Sequence, residues 1–247
     1  VNQWHVPPKA LTLNSQDVHV WQARLDVPPH QLDAFAQLLS TDERIRAGRF
    51  KFEQHRHRFI TGRGILRSLL ARYLGCPPQQ LRFGYGSHGK PVLLDFESLH
   101  FNVAHSQDLA LYAVTRDRSV GIDLEQIRTV DNLESLTRRF FSPSEHTAIC
   151  EAEAPHQATL FFRYWTCKEA YLKATGEGLG KLGGLEIELS LLQPAQLKRL
   201  PSEENPQHWY LQELELEHNF AAAIVVAAPS ELVKLQQFMF HDRLMFL

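Results

Sequence analysis

An α+β fold built from two similar halves is what this 247-residue sequence predicts, and three repeated features predict it. Ser40 and Glu43 have the S-x-x-E spacing of a helix-opening capping box, and Ser142 and Glu145 have it again. Each box leads into a long helical stretch closed by a glycine, and each helix into a run of strands. The letters repeat along with the order. "RFITGR" (58–63) and "RYWTCK" (163–168) share an arginine, an aromatic, a bulky apolar residue, a threonine, a small residue and a base. Such self-similarity marks a duplicated unit, and neither half has obvious independent sufficiency. We divide the chain at "TRDRS" (115–119), giving an N-terminal half 1–118 and a C-terminal half 119–247. Two α+β halves packed face to face would hold a ligand in the cleft between them.

The elements follow in order. "VHVWQARLD" (18–26) alternates as a strand does, and "PPHQLDAFAQLLS" reads as a helix. After the first capping box a long helix is predicted from about Phe52 to Tyr73, ended by Gly75 and the Pro77-Pro78 pair. Strands "LRFGYG", "KPVLL", "HFNVAHS" and "DLALYAVTR" complete the first half. The second opens on "SVGIDLEQI" (119–127), where Val120, Ile122 and Leu124 alternate with Gly121, Asp123 and Glu125. That period of two predicts a half-buried strand with two carboxylates on one face. "RFFSPSEHTAI" carries the second box, "FFRYWTCKEAYLKATG" the second long helix, and "LEIELSLL", "HWYLQELELE" and "NFAAAIVVAA" the closing strands.

Composition narrows the function classes. Hydrophobic residues at 44% and charged residues at 22% are ordinary for a globular chain. A net charge of -2 and a pI near 6.7 give no global basic field for a nucleic acid, so any bound anion is gripped by a local cluster. Cys76, Cys150 and Cys167 are odd in number and lack zinc or redox spacing, which implies a reduced, cytoplasmic protein. "VNQWHVPPKALTLN" has no signal-peptide core, and "FAAAIVVAA" is too short to span a bilayer. Glycine-rich nucleotide loops of the G-x-x-x-x-G-K-[ST] and G-x-G-x-x-G kinds are absent, as is a G-x-S-x-G elbow.

Four stretches carry chemistry. In "WTCKEAYLK" (165–173), Glu169 and Lys173 are four apart and share a helix face. That spacing alone describes a surface pair, but Trp165, Ala170, Tyr171 and Leu172 surround it with apolar mass. Asp123 and Glu125 alone could face water. Convergence with Glu169 would be untenable without a cation, and an all-oxygen set suits Mg²⁺ or Mn²⁺ completed by substrate phosphate. "HGKPVLL" (88–94) holds Lys90 between Gly89 and Pro91, a turn that could also reach a phosphate. His105 ends the strand "HFNVAHS", and Arg46, Arg49, Arg56, Arg58 and Arg63 make the helical region before it basic.

Together "GKP" (89–91), "FNVAHS" (101–106), "GIDLE" (121–125) and "WTCKEAYLKATGEGL" (165–179) resemble, in order and spacing, the Sfp-type 4′-phosphopantetheinyl transferases. The resemblance runs from about Leu39 to the last strands. It implies a pseudo-twofold pair of α+β subdomains and a specific reaction. The 4′-phosphopantetheine arm of coenzyme A moves to a serine of an acyl, peptidyl or aryl carrier protein, releasing adenosine 3′,5′-bisphosphate. By motif position, Asp123, Glu125 and Glu169 would hold Mg²⁺ on the coenzyme A pyrophosphate. Glu169 would be the base for the serine proton, and Lys173, with Lys168 alongside, would meet the departing phosphate. Arg46, Arg58, Lys90, Pro91, Ala104 and His105 would bind the nucleotide end.

Two positions depart from the family pattern: Ala104 replaces a usual serine, leaving only its backbone N–H for a phosphate, and Glu43 stands where relatives often have lysine. An acidic carrier would dock on "RTVDNLESLTRRFF" (128–141). The expected protein is a monomer with no nucleic-acid or membrane partner. Two other classes fit less well: a non-catalytic pantetheine or nucleotide binder has no need of all four of Asp123, Glu125, Glu169 and Lys173, and a metal-dependent phosphohydrolase has no need of the G-K-P and W-T-C-K-E-A motifs.

Overall fold

A computed structural model describes residues 4–86, 89–189, 194–216 and 219–241. The first half runs β1 (Asp17–Arg24), α1 (Pro29–Leu38), α2 (Thr41–Gly48), α3 (Glu53–Leu74), β2 (Phe83–Tyr85), β3 (Pro91–Leu93), β4 (Leu99–Ser106) and β5 (Leu109–Arg116). The second repeats it as β6 (Val120–Gln126), α4 (Leu133–Phe140), α5 (Pro143–Cys150), α6 (Ala154–Thr175), β7 (Glu186–Glu188), β8 (Gln196–Arg199), β9 (Tyr210–Glu213) and β10 (Phe220–Val226). In each, the opening strand pairs antiparallel with the last and the last with the one before it, and the two short middle strands form a separate hairpin. His88, residues 190–192 of "LEIELSLL" and Glu217 of "HWYLQELELE" lie outside the described residues.

Alternation along the strands divides the interior into three layers. Val18 and Val20 of β1, Leu111 and Ala113 of β5, and Val120, Ile122 and Leu124 of β6 belong to one apolar cluster shared by the two sheets. The opposite faces serve each half separately. Trp21, Ala110 and Tyr112 pack with Ile65 and Leu69 of α3, while Ala221, Ala223 and Val225 pack with Cys167, Ala170 and Tyr171 of α6. Each fully buried large side chain contributes about 2–3 kcal/mol of burial free energy. Two sheets back to back with a long helix outside each is the outcome.

Both long helices are 22 residues and end at a left-handed glycine, Gly75 and Gly176, where positive φ carries no Cβ penalty. The second starts at Ala154, earlier than the letters from Phe161 indicated. Both capping boxes form, and their glutamates have a second task. Glu43 accepts from the Ser40 N–H and pairs with Arg63 at 3.2 Å and Arg67 at 2.7 Å. Glu145 accepts from the Ser142 N–H, pairs with Lys168 at 2.7 Å and accepts from the Ile187 N–H. Arg67 and Lys168 each turn their remaining donors to carbonyls just beyond their helix: Pro78 and Leu81 for the arginine, Leu182 and Leu185 for the lysine. Both stand fifteenth in their helices. The structural repeat therefore matches Arg67 to Lys168, one helical turn away from the letter match of Arg63 to Lys168.

Three features were not expected. Segment 128–141 contains a helix, α4. Strand β6 is buried from Val120 through Leu124 rather than half-buried, because α6 covers the face that carries its polar residues. The last described strand, β11 (Lys234–Met239), returns to the first half and pairs in parallel with β1, giving the sheet order β11-β1-β5-β4. Its Phe238 packs on Trp21 and His19, and the Tyr73 hydroxyl bonds both of those rings at 2.8 Å.

Candidate active site

The alternation that sends Ile122 and Leu124 into the shared core sends Gly121, Asp123 and Glu125 toward α6. A Cβ at Gly121 would lie 2.0 Å from the Ala170 carbonyl oxygen and 2.3 Å from the Ala174 nitrogen. Only glycine lets α6 press this closely, and that approach brings Glu169 and Lys173 to Asp123. Lys173 Nζ is 2.6 Å from Asp123 Oδ1 and donates to the Ile122 carbonyl at 3.2 Å. Asp123 Oδ2 and Glu169 Oε1 are buried without any hydrogen-bond partner.

Crowding of carboxylates shows in their acidity. Burial first, then the Asp123 charge, pushes the Glu169 carboxyl up to about 7, although Lys173 opposes the shift. Glu125 is raised for the same two reasons, against the pull of Arg128. Glu125 Oε2 receives the Ser106 hydroxyl at 3.4 Å and Arg128 at 3.5 Å. Negative charge packed without a full set of donors is what a cation or a proton relieves.

Side chains of the first half reach this region. Lys90 leaves the β2–β3 turn, where Gly89 takes φ +77°, and donates to the carbonyls of Val120 and Lys173 at 3.0 and 2.6 Å. Burial, with Lys173 nearby, lowers its pKa to about 8. Two of its three N–H groups thus fasten the turn to the second half. Pro91 opens β3 opposite Tyr85. His105 is exposed as a residue, yet desolvation by the surrounding protein and then the charges of Lys173 and Arg58 lower its pKa from 6.5. Arg58 itself forks onto Asp26 at 3.0 and 3.2 Å. Arg46 stacks over Phe59 and, with Arg49, Phe50 and Tyr85, lines an open hollow of about 670 Å³.

Two assignments are corrected. Lys168 is fully buried on Glu145 and two carbonyls, inside the second half's own core, so it is not beside Lys173. Ala104 lies opposite Leu111 in the β4–β5 ladder and is 3% exposed within the core shared by the sheets, so it presents nothing to the cleft. Glu43, the departure from the family's lysine, is buried under Arg63 and Arg67 and holds two helices together.

Sequence reasoning also passed over Asn102 and Ser106, both inside "FNVAHS". Asn102 Oδ1 accepts from the Ile122 N–H at 2.8 Å and Ser106 Oγ from the Gln126 N–H at 3.0 Å.

Comparisons with known proteins identify the family of the chain. Residues 119–225 match the family model "4′-phosphopantetheinyl transferase superfamily", and residues 23–117 match "4′-phosphopantetheinyl transferase, N-terminal". The chain belongs to the 4′-phosphopantetheinyl transferase family. Among its relatives, 4′-phosphopantetheinyl transferase HetI of Nostoc sp. is 49% identical over 91% of this chain and 93% of its own. 4′-Phosphopantetheinyl transferase Sfp of Bacillus subtilis is 28% identical over 80% of this chain and 86% of its own. A holo-(acyl-carrier-protein) synthase from Bacillus anthracis, solved in complex with CoA (3′,5′-ADP), matches 45% of this chain and 96% of its own at 22% identity and a TM-score of 0.38, too distant a likeness to argue from. The protein is thus a phosphopantetheinyl transferase, moving the arm of coenzyme A to a carrier-protein serine and releasing adenosine 3′,5′-bisphosphate. Among the described residues no helix is long and apolar enough to cross a membrane.

Proposed function

We propose that Asp123, Glu125 and Glu169 hold Mg²⁺, or Mn²⁺, against the pyrophosphate of coenzyme A while Glu169 and Lys173 manage the proton and the leaving group. The observation that carries this reading is the pair of buried, unpartnered carboxylate oxygens, Asp123 Oδ2 and Glu169 Oε1. Among the described residues no three side chains of metal-binding type form a finished cage. The donor set is nonetheless chemically right, because a hard cation takes carboxylate oxygens and fills its shell with phosphate and water. When bound, the ion supplies Lewis-acid polarisation and neutralises charge on the pyrophosphate.

The remaining roles belong to the chain. Substitution at phosphorus depends mainly on positioning and on charge placed where charge develops. The serine oxygen bonds to the phosphorus next to the pantetheine, and the bond from that phosphorus to the bridging oxygen breaks. Glu169, with its Oε1 buried and unpartnered beside Asp123, would take the serine proton. Lys173, held by Asp123, offers its ammonium to the oxygen that leaves. His105 would donate to a phosphate, and the third N–H of Lys90 remains for the same purpose. Arg46, with Arg49 and Tyr85, would meet the nucleotide end at the hollow beside α2, and Arg58 would act near His105 while paired with Asp26.

A second hollow of about 620 Å³, lined by Asn132, Leu133, Glu134, Ser135, Arg138 and Arg139, lies along α4; Arg138 is paired with Glu134 at 2.6 Å, and Arg139 would meet an acidic carrier protein there. Carriers of fatty-acid, polyketide and nonribosomal-peptide synthesis all present such a serine. The reading is of a monomer in the cytoplasm, divided at residue 118 into a nucleotide-gripping and a catalytic half.

Intact mass spectrometry of an apo acyl carrier protein, incubated with this protein, coenzyme A and Mg²⁺, tests the reading. A gain of one phosphopantetheine group that EDTA abolishes is the expected result. A gain unaffected by EDTA would remove the cation from the scheme.

A further inference from the structure

Strand β6 carries two of the three proposed cation ligands, yet it is an edge strand. Its partner on one side is β10, and its other edge faces β4 of the first half without a backbone ladder. The N–H groups at 122 and 126 point to that open edge, and each ends on a side chain: Asn102 Oδ1 at 2.8 Å and Ser106 Oγ at 3.0 Å. Donors and acceptors are both spaced four residues apart, so the two contacts bracket Asp123 and Glu125. The residue midway on β4, Ala104, offers only a methyl.

We propose that Asn102 and Ser106 are positioning residues for the transfer reaction: acting from the opposite half, they fix the register and height of the strand that presents Asp123 and Glu125. The inference rests on the carboxylate site described above. A backbone ladder can slip by two residues and keep its pattern, but two side-chain acceptors at fixed points admit one register. Ser106 does more than cap an N–H, because its hydroxyl also donates to Glu125 Oε2 at 3.4 Å and so selects where that carboxylate stands. On its other face β6 is pressed by α6 at Gly121. Helix, β10 and the two β4 side chains therefore enclose β6 on three sides, and the β4 contacts, like the bond of Lys90 to the Val120 carbonyl, come from the opposite half.

The test uses the full chain and compares wild type with Ser106→Ala, Ser106→Thr and Asn102→Ala. Three quantities are read: kcat and KM for coenzyme A by carrier mass spectrometry, Mn²⁺ affinity in the presence of coenzyme A by electron paramagnetic resonance, and Tm. Ser106→Ala should lose about tenfold in both kcat and Mn²⁺ affinity, the usual consequence of removing a group that orients a ligand. Its KM for coenzyme A and its Tm should stay near wild type, and Ser106→Thr should recover most of the loss. Asn102→Ala should show the same split between kcat and KM, with a lower Tm because its site is buried. Wild-type kcat and Mn²⁺ affinity in Ser106→Ala would overturn the inference, as would equal losses in the alanine and threonine variants. A wild-type protein that neither transfers the arm nor binds Mn²⁺ would instead overturn the carboxylate site on which it rests.

Discussion

Lys173 neutralises one oxygen of Asp123 at 2.6 Å and leaves the other buried with no donor. The carboxylate is half satisfied, as a ligand waiting for a cation would be. Asp123→Asn keeps the shape and removes the charge. It should lower transfer by about 10²–10³-fold, the range for removing one electrostatic contact to a transition state, while thermal melting changes little. An undiminished initial rate with apo carrier would exclude Asp123 from the chemistry.

As the proposed base, Glu169 should separate binding from catalysis. Glu169→Gln preserves size and one oxygen but cannot accept the serine proton. It should cost about 10²–10⁴-fold in kcat, with a much smaller change in KM for coenzyme A. Equal losses in both would mean that Glu169 chiefly binds.

The same carboxyl sets a pH dependence without metal. Its folded pKa, about 7, lies above the ordinary 4.5, and Glu125 is shifted the same way. Between those values the folded protein keeps protons that the unfolded chain has released, so metal-free stability falls as pH rises through this window. On the proposed reading Mg²⁺ would take the place of the proton. The increase in Tm on adding Mg²⁺ should therefore be larger at pH 8 than at pH 6. Equal increases, measured by scanning calorimetry, would place the ion elsewhere.

Lys168 tests the corrected assignment. Lys168→Met strands Glu145 in the core, which should cost about 3–5 kcal/mol of stability by urea denaturation. The KM for coenzyme A of the folded enzyme should not move. A raised KM would return Lys168 to the substrate.

Gly121→Ala would drive a methyl into the backbone of α6, where neither Ala170 nor Ala174 can yield as a flexible side chain would. Overpacking of this kind costs about 1–3 kcal/mol or more, and it should also part Lys173 from Asp123, so activity falls with stability. Gly180→Ala, which meets open space, is the control. Matching urea midpoints for the two variants would contradict the close packing of α6 on β6.

Much of this was legible because it is local. S-x-x-E at Ser40 and Ser142, the closing glycines and the alternation in "GIDLE" each declare themselves within a few residues. The Glu169–Lys173 face followed from helix spacing alone. The same spacing could have separated Lys168 from Lys173, since five residues turn a helix by about 140° from the starting face. What stayed hidden depends on distant partners. Period two shows that Asp123 and Glu125 share a side, but not whether that side meets water or a helix. Asn102 and Ser106 read as ordinary strand letters until Ile122 and Gln126 are brought against them. "KLQQFM" has no marked alternation, and only β1, over two hundred residues earlier, makes it a strand.

That last pairing gives the protein a timetable during its own synthesis. The sheet of the first half lacks β11 until residues 234–239 have left the ribosome, although its other strands are complete by residue 116. At about 5–20 residues per second, β1 waits with an unpaired edge, and Trp21 without Phe238, for roughly 6 to 25 s. In that interval the exposed strand is open to a wrong partner on a neighbouring nascent chain. A chaperone able to shield one sheet edge for that long would raise the yield of this enzyme more than one that acts only after release.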